Sequence, residues 1–506
     1  MRLLARRRVQ LSRLSTFSVD KRDGYRGSVR VLLVSTYELG HQPLHLASPA
    51  AALLRAGHQV RCWDLAVQPW VDGGDETLAW AEAVGFSVPM HTAMRLAIPA
   101  ARSMRVQRPG LPICLYGLYA PVSQDLTIGS VADRVIAGEY EPALVAWVDA
   151  LAAGGDGAAG AAGAAGAAGA AGAVSVELRP SPFRVPARHL LPPLERYARL
   201  VVGDERRLVG YVESTHGCSH RCGHCPVPVV YDGRTRKVEL ATLMADVGAL
   251  VASGARHLTF GDPDFLNRPA HALAVAAEIH GAFPEVTFDA TVKVTHILRH
   301  DTVWAELARS GCLFVVSALE SVDEATLVRL GKGHTVADAA RAIHLLRGHG
   351  IEIRPSFLPF TPWTTAGQVA DLVSFVAAHD LVAGVDPVHY SIRLLLPQGS
   401  LLLGRSDLAP HLEGYDSEAL GWTWHHPDPA IDALQGDLAS IAEHAAAIGE
   451  DPFDTFERVA ELVGAAAGRS LPVATARTGA TRPHLSESWF CCAEPTRGQF
   501  GSLRQG

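Results

Sequence analysis

No stretch of the 506-residue chain approaches eighteen consecutive apolar residues without a charge or a glycine-rich break, so the sequence holds no membrane-spanning helix. Positive charge is not in excess either. The chain has 45 Lys and Arg against 52 Asp and Glu, a net charge of -7, whereas a protein that coats duplex nucleic acid by neutralising phosphates needs the opposite balance. Cysteine is scarce, with eight in all, which excludes a disulfide scaffold. A secretory signal is missing too: residues 1–28 carry many Lys and Arg but no apolar core or small-residue cleavage site, and they read as a disordered, solvated basic arm. What remains is a packed cytoplasmic protein acting on a small-molecule or peptide substrate. At roughly 100 to 200 residues per domain, it should hold two to four domains.

The first unit, residues 29–150, opens with the apolar run Val29 to Ser35, followed by a helix at Ala47 to Arg55 and a second strand at Val60 to Asp64. Further apolar strands at Ala83 to Val88 and Ile113 to Gly117 predict a doubly wound, Rossmann-like parallel sheet, whose ligands bind at the carboxyl ends of the strands. Residues 151–174 are Ala and Gly with glycine at a period of three. Without proline this cannot be collagen, and glycine in every turn weakens a helix, so the run reads as a low-complexity linker.

From residue 205 to residue 400, strand and helix alternate regularly. Strands read at Val209 to Ser214, Arg256 to Phe260, Val286 to Val292, Cys312 to Ser317, Ile351 to Phe357 and Val385 to Ile392. Six strand-helix units predict a partial (β/α)6 barrel resembling a TIM barrel, with its chemistry in the loops after the strands. Residues 401–470 read as helical, and residues 471–506 as a flexible tail.

Three cysteines follow the first barrel strand as Cys218-Ser-His-Arg-Cys222-Gly-His-Cys225. Three thiolates this close either bind three irons of a 4Fe-4S cluster, leaving one iron open, or bind zinc with His216, His220 or His224 as fourth ligand. The second strand ends in Gly261-Asp262-Pro263-Asp264, a carboxylate-bearing turn on the same barrel face. Two adjacent thiols, Cys491 and Cys492, lie in the tail sequence Cys-Cys-Ala-Glu-Pro, where a redox, nucleophilic or metal-binding role competes with a chance pairing in a disordered end. Cys62, Cys114 and Cys312 fall on predicted buried strands and are assigned no chemistry.

The C-x3-C-x2-C spacing after the first strand of such a barrel resembles the radical S-adenosylmethionine superfamily, over roughly Val209 to Pro397. The resemblance implies an enzyme in which Cys218, Cys222 and Cys225 hold a 4Fe-4S cluster, a reductant such as flavodoxin or ferredoxin supplies an electron, and S-adenosyl-L-methionine is cleaved to a 5'-deoxyadenosyl radical. It further implies that His224 contacts adenine, that Gly261, Asp262 and Pro263 hold the methionine amino group, and that Glu320 binds the ribose or polarises substrate. Ser317 to Ser321 and Leu330 to His334 are similar to Glu-Ser and Lys-Gly-His patterns of that superfamily.

The first unit is similar to the cobalamin-binding-like module ahead of many such barrels, through Asp133-Arg-Val-Ile-Ala-Gly138-Glu139-Tyr-Glu141. It departs from the pattern in lacking D-x-H-x-x-G, and Thr36 to His45 stands there instead, where His41 and His45, four positions apart, either face one ligand if helical or are structural. Either cobalamin binds without protein ligation, or the module has been emptied and shapes the substrate pocket. The tail closely resembles the CUAEP/CCAEP-tail radical S-adenosylmethionine (seleno)protein family, in which selenocysteine takes the place of Cys492. That resemblance implies that Cys492 reacts or coordinates, with Cys491 as resolving thiol or second ligand. Two alternatives accompany this reading: a cobalamin-dependent radical methyltransferase, and a non-catalytic iron-sulfur or zinc redox sensor.

Overall fold

Arg30–Ser35 (β1) is buried at five of its six positions, as a parallel strand covered on both faces must be. It pairs in parallel with Gln59–Asp64 (β2) on one side and Ala83–Ser87 (β3) on the other. Ile113–Tyr116 (β4), Arg134–Gly138 (β5) and Val174–Glu177 (β6) extend the sheet in the order β2-β1-β3-β4-β5-β6. The strand order reverses between β1 and β3, and this switch point opens a crevice at the carboxyl ends of the strands. In this computed structural model of the chain the described residues are 27–154, 174–472 and 482–487. The basic arm through residue 26, most of the Ala/Gly run, and Cys491 with Cys492 fall outside them.

The second sheet is a half-barrel. Its parallel strands are Glu205–Val212 (β8), His257–Phe260 (β11), Thr287–Thr291 (β12), Cys312–Glu320 (β13) and Glu352–Phe357 (β14), side by side in that order. Arg199–Val202 (β7) closes the β8 edge as an antiparallel hairpin. A short pair, Thr215–Gly217 (β9) and Thr235–Lys237 (β10), frames the cysteine loop. The helix Val336–Gly348 starts at a capping box in which Thr335 and Asp338 satisfy each other's backbone N–H groups. Beneath the sheet, Phe260 packs against Phe265 and Phe288 at 4.6 and 5.5 Å between ring centroids.

The sixth barrel position departs from expectation. Where Val385 to Ile392 reads as a strand, the chain forms a 3-10 turn, Pro387–Tyr390, followed by a single parallel bridge from Arg393 to Phe360. Pro387 has no N–H to give a ladder, and Asp386 is held aside by Arg354 at 2.6 Å. The C-terminal helices Pro429–Ile448 and Pro452–Ala467 are preceded by a hairpin, Leu412–Asp416 (β15) with Gly421–Trp424 (β16), that the sequence reading did not include. Within the segment read as a loose tail, His484–Leu485 (β17) pairs antiparallel with β7. No helix among the described residues is long and apolar enough to cross a membrane.

Arg188 ties the two sheets together. Its guanidinium donates to both oxygens of Asp246 at 2.9 Å, to the Tyr211 carbonyl at 2.7 Å and to Gln42 at 3.2 Å, all largely buried. Asp246→Ala should therefore lower unfolding free energy by about 3–5 kcal/mol in a denaturant titration, because the buried guanidinium loses its counter-charge. Replacing both partners by apolar residues should cost less.

Candidate functional site

The loops after β1, β3 and β4 of the first sheet face the carboxyl ends of the half-barrel strands across a cavity of about 360 Å³. One wall carries Glu38, Leu39, Pro89, Met90, Leu118 and Tyr119, and the other carries Cys218, Cys222 and Cys225. Glycine is required just before the first cysteine. At Gly217, φ is +73 and a Cβ would lie 2.3 Å from the Arg234 carbonyl oxygen. Cys218 and Cys222 are buried and Cys225 is half-buried. Burial pushes the Cys218 thiol above its ordinary value, so a bound cation is what would hold it as thiolate.

Beside the cysteines, Glu320 sits in the left-handed region at φ +64 at the end of β13. Its Oε1 lies 3.1 Å from Lys332 Nζ and 3.0 Å from His224 Nε2. Burial alone would push this carboxyl up, but Lys332 and His224 outweigh it and hold Glu320 well below the usual carboxylate range. Burial would likewise lower Lys332, yet Glu320 and the Cys222 sulfur raise it. The structure thus brings His224, Glu320 and the cysteines together, along with Lys332.

Asp262 is buried and committed. It accepts from Ser214 N–H at 2.8 Å, Ser214 Oγ at 2.7 Å and Thr215 Oγ1 at 2.5 Å. Burial still raises its carboxyl to about 6. Gly261, Asp262 and Pro263 all line the cavity, and a Cβ on Gly261 would lie 1.9 Å from the Tyr211 hydroxyl. With the Asp262 carboxylate committed, the backbone of Gly261 to Pro263 is left to meet a ligand's ammonium.

The two walls are joined by buried charge. Tyr140 OH meets His45 Nδ1 at 2.8 Å, His45 Nε2 lies 3.3 Å from Glu213, and His216 bridges Glu213 and Glu139 at 3.2 and 3.0 Å. Arg236 NH1 completes the line at 2.5 Å from Glu139. Burial alone would lower His45, but Glu213 and Glu38 raise it to about 9. His216 is raised well above its ordinary value in the same way by Glu139. His41 does not share a ligand position with His45: it stacks on Tyr211 at 4.8 Å, and burial lowers it to about 4.

In the Asp133 to Glu141 signature, Asp133 accepts from Arg105 and the Ile113 N–H, both at 2.8 Å, while Glu141 accepts from Ser48 at 2.8 Å. These two acids serve packing, and Glu139 serves the cavity wall. Glu213 was missed from sequence, although a carboxylate just past a barrel strand is the signal that finds it. Lys293, Arg354, Asp386 and Glu487 also line the cavity, and no local motif marks them. Cys114 and Cys312 are buried and Cys62 is partly so, with thiols raised by burial, Cys62 to about 12.

Glu38, whose carboxyl receives the Ser87 hydroxyl at 3.3 Å, is raised by burial to about 7. A carboxyl whose folded value lies above its unfolded value binds a proton more tightly when folded, so stability falls as pH rises from about 4.5 to about 7. Glu38→Gln should flatten that part of the stability profile in thermal melts across pH 5 to 8. An unchanged slope would show that Glu38 does not titrate there.

Residues 212–376 match the family model of the radical SAM superfamily. No curated protein sequence matches the chain. Among solved structures, the radical S-adenosylmethionine methyltransferase TsrM from Kitasatospora setae, with tryptophan substrate and a SAM analog bound, superposes with a TM-score of 0.62 at 20% identity, covering 88% of this chain and 97% of that one. Another TsrM structure, with cobalamin and a [4Fe-4S] cluster bound, gives 0.58 at 21% identity over 74% and 77% of the two chains. The cobalamin-dependent S-adenosylmethionine radical enzyme OxsB, with aqua-cobalamin bound, gives 0.62 at 12% identity over 84% and 70%. At these identities the likeness is one of fold, and it spans both sheets.

Proposed function

We propose that this chain, a radical S-adenosylmethionine enzyme by its residues 212–376, cleaves S-adenosylmethionine in the cavity between its two sheets and uses cobalamin at the switch point of the first. The carrying observation is placement. Three cysteines and the β1/β3 crevice, each the binding end of its own sheet, line one cavity. When bound, a 4Fe-4S cluster supplies the electron for cosubstrate cleavage and cobalamin a methyl carrier.

The donor sets fit both groups. Three cysteines with no described fourth thiol nearby suit a cluster that keeps one iron open. Leu39, Pro89, Met90, Gly117, Leu118 and Tyr119 make a largely apolar floor that would suit a corrin face, while His41 stacks on Tyr211 and His45 is held by Tyr140 and Glu213.

In this reading Cys218, Cys222 and Cys225 ligate the cluster, and the Lys332 ammonium steadies the thiolates of Cys222 and Cys225. Glu320, fixed by Lys332 and His224, keeps a free carboxylate edge for a ribose hydroxyl. The backbone of Gly261 to Pro263 receives the methionine ammonium. Tyr119 and Met90 help exclude water from the radical path. A reductant such as flavodoxin or ferredoxin and a cytoplasmic setting complete the scheme.

The tail belongs to the same proposal. Glu487 lines the cavity and accepts from Tyr37 OH at 2.8 Å. Cys491 and Cys492 follow it by four and five residues, a reach of at most about 13 to 18 Å. In this reading Cys492 acts on the substrate or intermediate, with Cys491 as resolving thiol or second ligand, in keeping with the tail-family resemblance.

Protein reconstituted without oxygen should form 5'-deoxyadenosine from S-adenosylmethionine, and Cys222→Ala should abolish it. S-adenosylhomocysteine appearing alongside, only when cobalamin is retained, marks methyl transfer; its absence with full turnover removes cobalamin from the scheme. Once a substrate is in hand, Cys492→Ser should keep cosubstrate cleavage and lower product formation by at least about tenfold. Equal product from the variant would confine the tail to structure.

A further inference from the structure

Three side chains that the cluster and cosubstrate do not require converge beside the cysteine loop. His220 comes from that loop, Asp264 from the turn after β11, and His296 from the helix Val294–Arg299 that follows β12. His220 Nε2 lies 3.4 Å and His296 Nδ1 lies 3.0 Å from the same oxygen, Asp264 Oδ2. All three ligand atoms fall within 4.8 Å of one another. The two imidazole rings are tilted by 52° with centroids 4.4 Å apart, so they converge rather than stack flat.

Hydrogen bonding does not account for this arrangement. Both nitrogens are within reach of Asp264 Oδ2, yet neither is aligned with it, and His220 Nε2 and His296 Nδ1 are buried without a hydrogen-bond partner. His296 is only 5% exposed. Asp264 Oδ1 is fixed by the Leu266 N–H at 2.9 Å, and the remaining oxygen takes one long backbone contact, from Lys293 N–H at 3.3 Å. Two buried imidazole nitrogens that crowd one carboxylate oxygen without an aligned hydrogen bond leave polar capacity that a shared cation would satisfy. Around zinc, with bonds of about 2.0–2.2 Å, neighbouring tetrahedral ligand atoms stand roughly 3.3 Å apart, close to the two nitrogen–oxygen separations of 3.4 and 3.0 Å found here.

We propose that His220, Asp264 and His296 bind a divalent first-row transition metal such as zinc, at a site distinct from the three cysteines. The ligand types suit such an ion: imidazole and carboxylate without thiolate. Only three protein ligands are present, and His220 and Asp264 line the cavity, so the fourth position opens toward it. That is the pattern of a site that takes water or a substrate oxygen or nitrogen, rather than of a closed structural one. The inference rests on these three residues and not on the radical chemistry. Through His220 the ion also clamps the cysteine loop to the turn after β11.

The test uses the full chain with its iron-sulfur cluster assembled, so that the cysteines are already taken, and zinc chloride as probe. Metal analysis after gel filtration should give about one zinc per chain with iron unchanged. X-ray absorption at the zinc edge should show nitrogen and oxygen at about 2.0–2.1 Å with no sulfur at about 2.3 Å. His296→Gln and His220→Gln should each weaken zinc binding by at least tenfold, since loss even of outer partners costs 10- to 100-fold, while iron content holds. Absence of zinc from the cluster-loaded wild type, a sulfur shell around it, or unchanged affinity in both variants would overturn the proposal and leave the trio as a brace for Asp264. If either variant fails to take up iron, the wild-type stoichiometry and absorption spectrum decide. Deoxyadenosine formation is scored separately, so failure of one reading does not mimic failure of the other.

Discussion

Glu139, buried, and Glu213, largely buried, are carboxylates that keep their charge because His216 stands between them, with Arg236 at one end of the line and His45 at the other. Burial opposes the charges of Glu139, Glu213, His45 and His216, and the alternation of sign along the row makes them tolerable. Glu139 and His45 belong to the first sheet and its loops, and Glu213, His216 and Arg236 to the second. The line therefore sets the distance between the two sets of strand ends, and so the cavity. Arg188 and Asp246 repeat the arrangement behind it with a bidentate pair.

A similar economy governs the cysteine wall. Glu320 accepts backbone strain at a position usually left to glycine, and this aims its carboxylate between Lys332 and His224. Lys332 then places a positive charge beside two cysteine sulfurs. The turn after β11 splits its two acids between different tasks: Asp262 braces the strand end through Ser214 and Thr215, and Asp264 faces His220 and His296.

Much of the fold was legible in sequence. Continuous apolar runs bounded by glycine mark strands buried on both faces, and the intervals between them fit parallel crossovers, so the two sheets followed. Where expectation and structure part, the cause is tertiary. Val385 to Ile392 has the composition of a strand but contains Pro387 and an Asp386 claimed by Arg354. β15 and β16 are short, and Trp424 is held by its ring N–H on the Leu394 carbonyl rather than by any pattern of its own. β17 is two residues long, too short for periodicity to register, and it exists because β7 offers an open edge.

By itself the sequence determined the things that depend on local spacing and composition: three thiols within eight residues, the strand periodicity, and the balance of charge that excludes a nucleic-acid coat. The tertiary structure alone decided which distant groups meet. His220 and His296 are 76 positions apart, Glu139 and His216 are 77, and Tyr37 and Glu487 are 450. No local interaction encodes those meetings. They follow from two sheets packing with their binding ends face to face, where the loss of water makes each charge depend on the partner brought to it.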